Sequence, residues 1–254
     1  MEVKICAIAD IHGDLPKIPK CDVLCICGDI VPLEIQWDYF ASIAWLAGPF
    51  QNWALKLPCK RIVMIWGNHD MIGERLTKSG TKIFENKDKF RTLYEMDGLD
   101  QHDVLFQNDM NNKITILIDS SIKLFGVNFY GTSWCPSLSN WAFYQTSEGL
   151  EQKFSKIPYQ TDVLLTHCPP KFGDQGVVLQ KNWNYLNNFG SRELQNAIEK
   201  IFAVKSTSTL VLSGHIHSGK HDIETWGGVG YRNVSLKDED YNMIYAPFET
   251  TIYV

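Results

Sequence analysis

Short apolar runs recur along the chain at Val3 to Ala9, Asp22 to Cys27, Arg61 to Trp66, Asp162 to Thr166 and Thr209 to Ser213, and each stops abruptly at polar residues or glycine. Runs of this length, rich in β-branched residues and without strict alternation, fit strands buried on both faces of an α/β sheet. Their ends carry the chemistry. Asp10-Ile11-His12, Gly28-Asp29, Gly67-Asn68-His69-Asp70, His167-Cys168 and Gly214-His215-Ile216-His217 follow the runs directly, one cluster after each. In open α/β sheets ligands gather beyond the carboxyl ends of the strands, so polar clusters at successive strand ends predict one shared site.

Between the second and third runs the period lengthens. Ile35 to Leu57 reads as helix, with Trp37, Phe40, Ile43, Ala44 and Leu46 as its packed stripe and Gly48-Pro49 expected to break or kink it. Ser191 to Phe202 is a second helix, with Ser191 as N-cap and Leu194, Ala197, Ile198 and Ile201 on one face. Thr115 to Ile118, Ser121 to Phe125 and Val127 to Tyr130 read as successive strands, and Tyr231 to Val254 holds further β-like runs. Asn86 to Asn112 shows no clear pattern. No repeat, low-complexity linker or composition break interrupts the chain, so a single domain over 1–254 is expected.

Composition narrows the class without naming a function. Of 254 residues, 44% are hydrophobic and 21% charged, which is ordinary globular usage. The formal charge of -5 argues against extended nucleic-acid binding, although bound cations let an acidic protein attract phosphate locally. The start of the chain is too short for a signal peptide before Asp10, and no apolar stretch reaches the roughly 18 residues of a membrane span, so a cytoplasmic protein with no membrane partner is expected. Seven scattered cysteines read as reduced thiols; Cys25 and Cys27 are a lone close pair and fit core packing better than zinc binding.

Carboxylate, carboxamide and imidazole groups together suit Mn²⁺, Fe, Zn²⁺ or similar ions, including Ni²⁺ and Co²⁺. His215 and His217 stand two residues apart, which on extended backbone points both side chains to one side, towards adjacent metals. A two-metal centre needs a bridging ligand, a role natural to a carboxylate, and Asp29 is the leading candidate.

Taken in order, Asp10-x-His12, Gly28-Asp29, Gly67-Asn68-His69-Asp70, His167 and Gly214-His215-x-His217 resemble the calcineurin-like metallophosphoesterase superfamily. The resemblance implies a four-layer α-β-β-α sandwich with the site at strand carboxyl ends. It implies two divalent ions, Mn²⁺ favoured: Asp10, His12 and His217 would hold the first, Asn68, His167 and His215 the second, and Asp29 would bridge them. A hydroxide held on the metals would attack phosphorus, and His69, outside the ligand set, would stabilise the transition state or protonate the leaving oxygen. Asp70 would orient His69. Cys168 is expected to be packing, and His102 and His221 fall outside the motif blocks.

Protein phosphatases of the superfamily carry Asp-Arg-Gly after the Gly-Asp block; here Ile30-Val31-Pro32-Leu33-Glu34 stands instead. Tyr130-Gly131-Thr132-Ser133-Trp134-Cys135-Pro136, Leu165 to Pro170, Gly190 to Leu194, and Asn233 to Leu236 followed by Asp238 to Tyr241 resemble the smaller metallophosphoesterase-domain group linked to phosphodiesters, cyclic nucleotides included. The expected function is hydrolysis of a small phosphodiester, nucleotide-like in kind. A phosphomonoesterase, a nucleotide pyrophosphatase, or a binding module on an inactive copy of the fold are the alternatives. Trp134, Trp141, Phe143 and Trp183 are candidates for stacking a nucleobase, with core packing the better reading of each alone.

Overall fold

The structure, a computed structural model, describes residues 1–79, 113–136, 139–179, 186–202 and 209–254. Asn86 to Asn112, His102 and Trp183 therefore lie outside the described residues. The five apolar runs form β1 (Glu2–Ile8), β2 (Cys21–Cys27), β3 (Cys59–Ile65), β9 (Val163–Thr166) and β12 (Thr209–Ser213), within a residue or two of their sequence bounds.

The first sheet has the order β15-β1-β2-β3-β4, where β4 is Ile114–Ile116 and β15 is Phe248–Tyr253. Strands β1 to β4 are parallel, and β15 closes one edge antiparallel to β1. The second sheet adds β5 (Ser120–Leu124), β6 (Val127–Thr132), β13 (Glu224–Trp226) and β14 (Val229–Asn233) in the order β13-β14-β12-β9-β6-β5. Its four central strands are parallel and both edge strands antiparallel. The described residues also include the short pairs β7 (Cys135–Pro136) with β8 (Tyr144–Gln145) and β10 (Val177–Leu179) with β11 (Leu186–Asn188).

Alternation along each strand sorts the core into layers. Val3, Ile5, Ala7, Val23, Cys25, Cys27, Val63 and Ile65 meet Phe129, Val163, Leu165 and Leu212 in one apolar cluster between the sheets. The residues in between, such as Ile8, Leu24, Ile26 and Met64, face the other way and join helix residues. Strands buried on both faces explain why the sequence shows runs rather than alternation. Cys25 and Cys27 are thus core residues, and all seven cysteines are free and buried.

Helices α1 (Tyr39–Trp45), α2 (Gln51–Lys56) and α3 (Met71–Ser79) contribute Ile43, Ala54 and Leu76 to the outer cluster, and α4 (Ser147–Phe154) and α5 (Arg192–Phe202) contribute Phe154 and Ile198. The expected four-layer sandwich is therefore found. Ser191 caps α5, its hydroxyl accepting from the Leu194 N–H at 3.1 Å. The helix read over Ile35 to Leu57 is built differently from expectation. Asp38 accepts from the Phe40 and Ala41 N–H groups and starts α1, and Gly48-Pro49 sits in a wide π turn, Leu46–Phe50, that carries α1 into α2. Trp37 consequently lies before the helix and is 58% exposed, and Ala44 is exposed as well, so neither belongs to the packed stripe that Ile43 and Leu46 form.

Candidate metal centre

The two parallel sheets present their carboxyl ends to one another, and hydrogen bonds across the gap fix the meeting. Ala9 N–H donates to the Val234 carbonyl at 2.8 Å, and the His167 ring to the Cys27 carbonyl at 2.8 Å. After each strand the chain must turn at once to keep its polar residues in this gap. Asp10, His12, Asp29 and His215 all take left-handed backbone angles, with φ of 55°, 42°, 54° and 69°. Such angles cost roughly 1–3 kcal/mol each in a non-glycine residue and concentrate where a site needs them. Gly28, at φ 92°, prepares the turn into Asp29, and a Cβ there would meet the His167 Nδ1 at 2.6 Å. At Gly67 an added Cβ would strike the Asp29 carboxylate and backbone N, and the His167 ring. Both glycines are thus fixed by close approach of backbone to donor side chains.

All seven residues expected as ligands face this gap. Asp10, His12 and His217 bring donor atoms within 4.8 Å of one another, as do Asp10, Asp29 and His167. The His217 Nε2 lies 3.8 Å from Asp10 Oδ1 and the His12 Nε2 3.9 Å from Asp29 Oδ2. His167 Nε2 sits 2.8 Å from Asn68 Oδ1 and 3.3 Å from Asp29 Oδ2, and the His215 ring packs 5.0 Å from the His167 ring. The His215 backbone N–H also donates to the Asp10 carboxylate.

This donor set fits divalent cations on three observations. Both ring nitrogens of His12 are buried without a hydrogen-bond partner, an arrangement that costs free energy unless something accepts the lone pair. His167 and His217 each donate Nδ1–H to a backbone carbonyl, of Cys27 and Asp238 respectively, which leaves Nε2 as the nitrogen able to coordinate. Burial keeps His12 and His215 neutral, lowering each to about 3, so both offer free lone pairs near neutral pH. Burial also opposes charge on His167, yet attraction and hydrogen bonding from Asp29 lift it to about 10: a buried carboxylate and an amide oxygen gather positive charge at its Nε2. Asp29, although buried, is held well below the usual carboxylate range by His167.

His69 lies beside the donors. Its backbone N–H donates to Asp29 Oδ1 at 2.8 Å and its ring stands 4.9 Å from that of His12. Burial lowers its pKa. The partner of its ring corrects the sequence reading: Gln36 Oε1 accepts from Nδ1 at 2.7 Å, leaving Nε2 for a ligand. Asp70 does something else. Its carboxylate accepts the N–H groups of Gly67, Asp29, Ile30 and Val31 at 2.8 to 3.0 Å, tying the loop after β3 to the loop after β2. Burial and the Asp29 charge raise Asp70 to about 7 in spite of those donors.

Sequence reasoning missed Gln36, because it was absorbed into the helix read over Ile35 to Leu57, and it missed Tyr241. The Tyr241 ring meets His12 and His217 edge-on at 5.0 and 5.2 Å, from a left-handed φ of 61°. Trp134 and Phe143 are structural: Asp119 accepts from the Trp134 indole at 3.0 Å, Lys153 lies 3.9 Å over its ring, and Phe143 is fully buried. Cys168 is buried with its thiol on the Pro169 carbonyl, as packing requires. His221 is half-buried, stacks on Tyr245 at 3.6 Å and donates from Nε2 to the His217 backbone carbonyl at 3.0 Å, with its ring outside the donor sets.

Comparison with known proteins agrees with this geometry. The chain is 28% identical over 252 residues to UPF0046 protein T07D4.2 of Caenorhabditis elegans, covering 96% of this chain and 59% of that protein. It is 27% identical over 254 residues to UPF0046 protein C25E10.12 of the same organism, covering 97% of this chain and 79% of that one. It is 26% identical over 249 residues to human metallophosphoesterase domain-containing protein 1, covering 94% and 68%. The chain thus spans little more than half the length of the first of these relatives. The model of the calcineurin-like phosphoesterase family matches residues 3–219, and with its donor residues standing at the ends of the five strands the chain belongs to that family of metal-dependent phosphoesterases.

Proposed function

We propose that the chain is a binuclear phosphodiesterase acting on a small, nucleotide-like phosphodiester, with Mn²⁺ as the favoured cation. The observation that carries the reading is the convergence of two buried donor sets, Asp10/His12/His217 and Asp10/Asp29/His167, on one gap between two sheets. In the proposed division of labour Asp10, His12 and His217 hold one cation, Asn68, His167 and His215 hold the other, and Asp29 lies between them. Two such cations would neutralise charge on the phosphoryl oxygens and lower the pKa of water.

The remaining chemistry belongs to side chains outside the ligand set. His69, with Nδ1–H held by Gln36, turns Nε2 towards the oxygen that leaves; as the imidazolium it gives that oxygen the Nε2 proton and returns to the neutral Nδ1–H form. A diester is favoured over a monoester because the segment after Asp29 is apolar, with Ile30 and Val31 fully buried where an arginine would grip a dianion. Lys237, whose charge acts on His12, is engaged by Asp14 at 2.8 Å. Seven free, buried thiols suit a reducing compartment, which supports the cytoplasm as the site of action. Among the described residues no helix is long and apolar enough to cross a membrane.

The test is a panel of aryl phosphomonoesters, linear and cyclic phosphodiesters and nucleotide pyrophosphates on one Mn²⁺-supplemented preparation. Diester turnover that Asp29→Asn and His69→Ala both reduce sharply, with the fold retained, is the expected result. Preference for monoesters would overturn the diester reading, and metal binding without any turnover would make the chain a binding module.

A further inference from the structure

Indole rings form a shelf beside His69 that the metal chemistry does not use. Trp141 packs against the His69 ring at 4.3 Å between centroids, and Trp37 packs on Trp141 at 5.7 Å. Trp37 is 58% exposed, and no cap, helix or core cluster requires an indole there. Its neighbour Gln36 is the residue that holds His69, so shelf and proton donor ride on one segment. Trp141 is anchored to the site from the other side: the Ala142 N–H donates to the Asn68 carbonyl at 3.1 Å and the Phe143 N–H to Glu74 at 3.1 Å. Trp37 thus follows the residue that holds His69, and Trp141 precedes one bonded to the Asn68 backbone. An exposed indole on a rigid mount presents an apolar face at little entropic cost, and such faces stack planar rings irrespective of their substituents.

From this placement we infer that Trp37 and Trp141 receive a planar aromatic ring, of nucleobase size, on the ester arm that departs past His69. The inference rests on the phosphoester reading above and adds the substrate's leaving group to it. Alkyl phosphodiesters would reach the donors but leave the shelf wet.

The experiment measures equilibrium binding of AMP and of ribose 5-phosphate to the Mn²⁺-loaded protein by titration calorimetry; the two probes share phosphate and sugar and differ in the base. The wild type is expected to bind AMP roughly tenfold tighter, the scale of one stacked base. Trp37→Phe should keep most of that ratio, and Trp37→Leu, similar in bulk but without a π face, should bring it close to one. Melting temperatures of both variants check the fold, and the Phe against Leu contrast stands even if both lose some stability. A ratio near one in the wild type, or a ratio unchanged in Trp37→Leu, overturns the shelf alone. Failure of both probes to bind the metal-loaded wild type overturns the phosphoester reading together with the shelf.

Discussion

At the scale of single residues the site is an exercise in keeping side chains close without letting them neutralise one another. Gly67 is a tight point, since a methyl group would enter the Asp29 carboxylate and the His167 ring. Gly67→Ala is expected to abolish high-affinity metal binding while the sheets remain folded, as read by metal content after dialysis and by circular dichroism. Gln36 sets the His69 tautomer. Gln36→Leu should lower kcat about tenfold or more with a smaller change in KM, because the proton donor loses its alignment and not the phosphate its cations. His12 and His215 have folded pKa values of about 3, below the ordinary 6.5. At these two sites the unfolded chain therefore binds more protons below pH 6.5, and their contribution to metal-free stability should fall as pH drops from there towards 3, against the opposite contribution of Asp70, which the folded chain protonates first. His215→Asn should flatten that acid limb in urea melts taken across pH, and an unchanged slope would show that His215 is not held neutral.

At the scale of elements, strand ends and the loops after them decide everything. Asp70 is the pin between two of those loops, accepting four backbone N–H groups while fully buried. Asp70→Ala should cost about 3 kcal/mol or more, since buried donors left without an acceptor carry their full desolvation penalty. Asp70→Asn, which keeps an acceptor oxygen, should cost less; equal losses in urea denaturation would contradict the pinning role. The strands were legible in the sequence because doubly buried strands must be apolar throughout, and the donors were legible because each follows such a run. Gln36 and the exposed Trp37 were not. Their segment has helical periodicity, and only the Asp38 cap, a local hydrogen-bonding choice, shows that the helix starts after them. The role of Asp70 was hidden for a similar reason: a turn aspartate next to a histidine reads as its partner until the backbone donors around it are placed.

At the scale of the whole molecule, two mixed sheets with parallel central strands, packed face to face, bring five strand ends to one gap, and an acidic chain thereby gathers buried imidazoles and carboxylates in one place. Cations bound there belong to the folded state alone, so they should raise the melting temperature by mass action, and a chelator should lower it. The most direct test is turnover of bis(4-nitrophenyl) phosphate as Mn²⁺ is added stepwise to metal-free protein. A binuclear site predicts a rate that is near zero at the start, rises to a plateau at about two equivalents, and disappears on chelation. A plateau at one equivalent, turnover that survives chelation, or no turnover with any divalent cation would contradict it.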